Sequence, residues 1–225
     1  MPINSPIIEK WGFGAEAMEY QAAWDRQKTI HQQVVAGSHP EIVALLEHRS
    51  VYTAGRSTQL ADRPIDGSKV FDIDRGGRIT WHGPGQLVGY PIVRLPDPID
   101  IVAHVRRLEL LLIDVLAEFS VVGEQITGRS GVWVNSGSVP KKIAAIGIRV
   151  AKRVTMHGFA LNCSNDLTPF RAIIPCGISD ADVTNLSIEA GREVTVREVV
   201  PVVENFLNTG ALTRSIAKKR NLETI

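Results

Sequence analysis

Only two cysteines, Cys163 and Cys176, occur among the 225 residues. Two thiols make no disulfide framework, which excludes a stapled secreted scaffold and fits a reducing compartment. No run of about 18 apolar residues is present, so no membrane-spanning helix is expected. The opening Met1-Pro2-Ile3-Asn4-Ser5-Pro6 lacks the basic region and apolar run of a secretory leader. A cytoplasmic protein with no membrane partner is the expectation. Lys and Arg number 25 against 24 Asp and Glu, a formal net charge of +1. Charge therefore gives no reason to expect a nucleic-acid partner. Neither Cys-x-x-Cys nor His-Glu-x-x-His occurs, and no tight cluster has ligand spacing, so no metal is expected. Repeats and low-complexity linkers are also lacking. The length suits a single domain over residues 1–225, with a polar, basic tail at 214–225.

What is present is an unusual concentration of glycine. Residues 75–86, Arg75-Gly76-Gly77-Arg78-Ile79-Thr80-Trp81-His82-Gly83-Pro84-Gly85-Gln86, fit no ordinary secondary structure and run into the apolar stretch 87–93. Glycine permits φ > 0 and lets a ligand approach the backbone. A ligand-cradling loop is the expectation. It is neither Gly-x-Gly-x-x-Gly nor a Walker A sequence, so it does not match those phosphate loops.

Around it the periodicity alternates between helix and strand. Tyr20, Ala23, Trp24, Gln27, Ile30 and Val34 recur at helical spacing over 15–36, with Gly37 placed to cap. Strand character follows at 42–46, 51–53 and 70–73, separated by a loop at 54–69. A second helix covers about 99–120, with Asp97 or Asp100 as cap and Gly123 as stop. Residues 131–134 and 142–150 flank the turn-rich Asn135-Ser136-Gly137-Ser138 and predict a hairpin, with a third strand over 155–161. Thr195 and Glu198 fit a capping box opening a helix through Phe206 and Leu207, stopped by Gly210. Pro201 predicts a kink or a shortened first part. The pattern indicates α/β or α+β with a mixed sheet and packed helices.

Two residues stand out for nucleophilic chemistry. Cys176 lies between Pro175 and Gly177 at the end of an apolar run, a context that presents a side chain at a strand end. A thiol acts as nucleophile only when ionised, near a pKa of ~8.5 if unperturbed, so it needs a basic or cationic partner. Lys142 opens the apolar strand 143–148 and is the candidate; Lys141 beside it is the natural control. A buried structural cysteine and a solvated lysine remain the alternatives. Cys163 lacks the flanking proline and glycine and reads as structural. Of six histidines, only His82 and His157 stand beside glycines where a pocket could form.

Four segments together carry a family resemblance: Arg75 through Gln86, Lys142-Ile143-Ala144-Ala145-Ile146-Gly147-Ile148-Arg149, His157-Gly158-Phe159-Ala160-Leu161-Asn162 and Ile174-Pro175-Cys176-Gly177-Ile178. In this order they resemble the lipoyl(octanoyl) transferases of lipoic acid biosynthesis, over about residues 10–210. Trp81 stands where many members carry tyrosine or phenylalanine.

The resemblance implies a fold similar to the catalytic domain of biotin and lipoate protein ligases, a mixed β-sheet with helices around it. It implies octanoyl transfer from acyl carrier protein to a lysine of a lipoyl domain, without ATP or metal. The acceptors it implies are E2 subunits of 2-oxoacid dehydrogenases and the glycine cleavage H protein. Cys176 matches the cysteine that forms the acyl-thioester, and Lys142 the lysine that lowers its pKa. The acyl pocket it implies comprises Arg75, Gly76, Gly77, Arg78, Ile79, Thr80, Trp81 and His82, with Ala145, Ile146, Gly147, Gly158, Phe159 and Ala160. Gly77, Gly147, Gly158 and Ala160 are expected to leave room for the alkyl chain. Arg56, Arg63, Lys69, Arg78, Lys152 and Arg153 are candidates for a basic rim facing acidic partners.

Overall fold

Strand β2 (Ile42–Leu46) is buried at all five positions, as an apolar run with two covered faces must be. Ile42, Ala44 and Leu46 pack with Ala23, Ile30 and Val34 of helix α1 (Tyr20–Ala36). Val43 and Leu45 turn the other way, toward helices α2 (Ile101–Ala117) and α4 (Val196–Asn208). Side chains of period two thus feed two cores on opposite faces of one sheet. The structure is a computed structural model that describes residues 6–173 and 181–213.

The large sheet starts with β1 (Ile7–Gly12), which pairs in parallel with β2. The order continues through β6 (Gln86–Ile92), β10 (Val154–Asn162), β9 (Lys141–Ala151), β8 (Arg129–Val134) and β7 (Glu124–Ile126), all antiparallel to their neighbours. Short β11 (Asp182–Val183) runs parallel to the start of β9. A second sheet holds β4 (Val70–Asp72), β3 (Val51–Ala54) and β5 (Ile79–His82) in that order. The expected mixed sheet with packed helices is what the chain forms.

Local signals account for most boundaries. Gly37 caps α1 at φ 74°, and the Asp100 side chain accepts from Ala103 N at 2.8 Å at the start of α2. The capping box of Thr195 and Glu198 is formed, and α4 runs through Pro201 to Asn208. Two expectations change. Ser120, at φ 60°, closes α2 in place of Gly123, with Val121 N reaching Leu116 O at 3.1 Å. A Cβ on Gly123 would meet the Leu116 side chain at 2.7 Å, so close packing explains that glycine. The supposed loop 75–86 is half strand: Ile79–His82 pairs with β3, and Gln86 already belongs to β6. Only residues 83–85 make the turn. Short helix α3 (Leu186–Ala190), capped by Asn185, gave no periodic signal. The tail at 214–225 lies outside the described residues.

Candidate active site

Where the small sheet meets the middle strands of the large one, a cavity of about 250 Å³ opens. Alternation along β5 sends Thr80 and His82 into its wall, while Ile79 and Trp81 face away. Trp81 donates from Nε1 to Ser50 Oγ at 2.9 Å and stands edge-on to Phe170. Gly76 is also off the cavity, its N–H bonded to Ile148 O on β9. The other candidates line it: Arg75, Gly77, Arg78, Ala145, Ile146, Gly147, Gly158, Phe159 and Ala160. Sequence reasoning missed Tyr20, Val88, Tyr90, Gly128 of the β7–β8 turn, and Arg129 and Ser130 at the start of β8. Only tertiary contact brings them there.

Two glycines do other work than expected. A Cβ on Gly158 would lie 2.1 Å from Gly89 O, and one on Gly147 would lie 3.0 Å from Gly76 O and from Arg75 Cδ. Their missing side chains admit neighbouring protein, so they contribute backbone to the wall and no extra room. Arg75 is buried and organises its own loop. Its guanidinium donates to the carbonyls of Gly76, Arg78 and Thr53 and to Thr53 Oγ1, at 2.8–3.0 Å.

The cavity's inner side carries buried imidazoles. His82 Nδ1 lies 2.8 Å from Gln86 Oε1, and Gln86 Nε2 donates to Trp81 O and to Asn162 Oδ1. The amide nitrogen is therefore committed as donor, which leaves Oε1 as the acceptor facing the ring, and His82 Nδ1 carries the proton. Burial, then the neighbouring His48, pushes His82 down to about 3. His48 is pushed down to about 4 by burial, with Tyr90 OH 2.7 Å from its Nε2. His157 takes the left-handed region at φ 59°, and its Nε2 stands 3.0 Å from Asp74 Oδ1. Burial lowers its pKa while Asp74 opposes the shift. A left-handed φ on a non-glycine is uncommon and persists only where surroundings hold it.

Lys142 is 8% exposed and lines the cavity, its Nζ 4.6 Å from the Trp133 ring centre. Lys141, more exposed, stands 4.0 Å from Glu189. Cys176 lies outside the described residues, but both flanks are placed. Ile173 packs with Trp81, and Val183 pairs with Lys142 on β9. Cys163 is fully buried, and burial pushes its thiol up to about 12, so it stays protonated and inert. Of the rim candidates, Arg78 and Arg63 pair with Asp62 and Asp72, and Lys69 lies over Phe71. Among the described residues no group of three or more His, Cys, Asp or Glu is placed to hold a metal ion. No described helix is long and apolar enough to cross a membrane.

The model of the lipoyl protein ligase A/B catalytic domain matches residues 19–208. The chain belongs to that family. An octanoyltransferase of Salinispora arenicola is 59% identical over 197 residues, covering 87% of this chain and 92% of the relative. An octanoyltransferase of Clavibacter sepedonicus is 58% identical over 202 residues, covering 87% of each. Among solved structures, a lipoate-protein ligase A bound with ATP superposes with a TM-score of 0.70 at 17% identity, covering 91% of this chain and 85% of that one. A bi-partite lipoate protein ligase of Thermoplasma acidophilum, solved in work on its E2 lipoyl domain, reaches 0.65 at 18% identity, covering 90% and 84%. At such identities these structures speak for the shared fold alone.

Proposed function

We propose that this octanoyl-transferring enzyme of lipoate biosynthesis takes its acyl group from acyl carrier protein and passes it, through a thioester on Cys176, to a lysine of a lipoyl domain. Lys142 carries the reading: a buried amine in the wall of the cavity, on the strand that pairs with residues leaving the Cys176 segment.

In the first half, the neutral Lys142 amine takes the Cys176 thiol proton and the thiolate attacks the donor carbonyl. The tetrahedral intermediate collapses by expelling the carrier thiolate, which leaves with the proton that Lys142 held. One thioester replaces another of similar energy, so positioning matters more than driving force. In the second half the acceptor lysine, normally protonated near pKa ~10.4, must attack as the free amine. Lys142 takes that proton, the amine attacks the Cys176 thioester, the departing thiolate recovers the proton from Lys142, and the new amide nitrogen sheds its second proton to solvent. Because the donor is already activated, the reaction needs neither ATP nor a metal ion.

The alkyl chain is enclosed beside Val88, Ile146, Phe159 and Ala160, gaining about 0.8 kcal/mol per buried methylene before ordering costs. Lipoyl domains of E2 subunits and the glycine cleavage H protein are the proposed acceptors. The test is intact mass after incubation with octanoyl–acyl carrier protein without ATP. An octanoyl adduct absent from Cys176→Ser supports the reading; an ATP requirement with free octanoate as donor points to a ligase and sinks it.

A further inference from the structure

Helix α2 buries a carboxylate that the reaction above does not use. Glu109 is fully inaccessible, set among Leu108, Leu111 and Leu112 on the stripe that faces the large sheet. A buried ionised carboxylate is costly unless its oxygens are bonded. Here they are: Oε2 accepts from Gln125 Nε2 at 2.8 Å and from the guanidinium of Arg106, and Oε1 accepts from Gly131 N at 3.0 Å.

Gly131 is the informative partner. It sits in β8 at φ 109°, a conformation that favours glycine, just before the register shift between Val132 and Trp133. A Cβ there would lie 2.4 Å from Ala144 O and 3.4 Å from Lys142 Cε, so the Lys142 stem runs against this glycine. Two residues on, Trp133 supplies the ring beneath the Lys142 amine, and just before it Gly128, Arg129 and Ser130 form the cavity wall. One carboxylate oxygen therefore fixes the backbone between the cavity wall and the bed of Lys142.

We infer that Glu109 is a positioning residue for acyl transfer: by holding Gly131 N it sets the strand against which the Lys142 side chain is aimed into the cavity. The inference rests on the proposed role of Lys142. Glu109 touches neither substrate nor the reacting atoms, so its effect reaches the reaction only through Lys142.

The test pairs a chemical readout with a kinetic one in Glu109→Leu, which keeps the side chain's bulk and removes the acceptors. Trace acetic anhydride labels both lysines, and mass spectrometry gives the Lys142/Lys141 labelling ratio. In the parent Lys142 is shielded; in Glu109→Leu the ratio rises several-fold. A misplacement on the order of 1 Å lowers kcat by ~10–100-fold, while KM for the acyl donor stays nearly constant. Val115→Ala loosens the same helix without touching Gly131 and leaves both readouts as in the parent. Should Glu109→Leu not fold, Glu109→Met carries the test: an unbranched thioether of similar length also removes both carboxylate acceptors, and the same changes are expected.

The inference is overturned if a folded Glu109 variant keeps the parent's labelling ratio, or if Val115→Ala changes both readouts as much as Glu109→Leu does. A ratio that rises while kcat holds overturns the catalytic consequence. A parent that transfers no octanoyl group refutes the proposed function instead, and the labelling ratio still decides the geometry.

Discussion

Gln86 Nε2 donates to Asn162 Oδ1 at 2.8 Å, joining the end of the glycine-rich segment to the end of β10. The bond is one link in a buried chain. His82 precedes it, and Asn162 Nδ2 continues to Thr184 O at 2.9 Å, while Thr184 N bonds Lys142 O at 3.0 Å. Three motifs separated in sequence are thereby locked into one arrangement around the cavity. Asn162→Leu leaves Gln86 Nε2 with only its longer bond to Trp81 O at 3.3 Å and strands Thr184 O, at about 1–3 kcal/mol for a buried group left unpaired. The expected result is a Tm lowered by ~5–15 °C in a thermal melt, at roughly 2–4 °C per kcal/mol for a chain this size. An unchanged Tm contradicts the chain.

A second buried carboxylate grips the turn itself. Glu47 accepts from Gly85 N at 2.7 Å and from Gly14 N at 2.6 Å, and Gly85 O in turn accepts from Cys163 N and Ser164 N. Hydrogen bonds to a charged acceptor contribute about 1.5–3 kcal/mol each. Glu47→Ala is expected to cost about 3 kcal/mol or more in urea unfolding, where Glu16→Ala, exposed, costs almost nothing.

Two glycines of the site separate packing from permissiveness. A Cβ at Gly158 lies 2.1 Å from Gly89 O, whereas one at Gly76 meets only Ile148 O, at 3.5 Å. Gly158→Ala forces two backbones apart and is expected to destabilise by about 1–3 kcal/mol. Gly76→Ala is expected to stay within ~0.5 kcal/mol of the parent. Equal stability losses for the two in chemical denaturation refute this account.

Acid should weaken the fold earlier than carboxylate protonation alone would. His48 titrates at about 4 and His82 at about 3 in the folded chain, both lowered first by burial, against 6.5 for the free side chain. Between these values the unfolded chain holds protons that the folded chain refuses. Stability is fully present above about pH 6.5 and is lost as pH falls, by up to about 1.4 kcal/mol per pH unit for each histidine. Unfolding free energies at pH 7.5, 6.5 and 5.5 measure the slope, and His48→Gln is expected to reduce it by up to one proton's worth.

Lys142→Arg tests whether the amine exchanges protons or only supplies charge. Arginine keeps the cation but does not deprotonate in proteins, so it cannot take the thiol proton. Transfer is expected to fall by ~100-fold or more, within the range general-base groups contribute, with the chain still folded by circular dichroism. Turnover near the parent's rate dismisses the proton-transfer role.

The elements whose evidence is local were legible in the sequence. Gly37, Asp100 and the Thr195–Glu198 box act on their own helix ends, and the alternation of Ile42 through Leu46 needs only the pleat of a strand. The four motifs carried the family because their residue types and order survive without coordinates.

Tertiary structure decided which residues meet. Pairing of β5 with β3 turned Thr80 and His82 inward and Ile79 and Trp81 away, a choice that depends on the partner strand rather than on the segment. Glu47 and Glu109 looked like ordinary charged residues, because a carboxylate shows its purpose only when backbone N–H groups from elsewhere converge on it. Residues 128–130 entered the cavity wall through the hairpin's approach to β9, which no local propensity encodes. Sequence determined the elements and the reactive groups. Long-range packing, which sums many contacts distant along the chain, determined their arrangement.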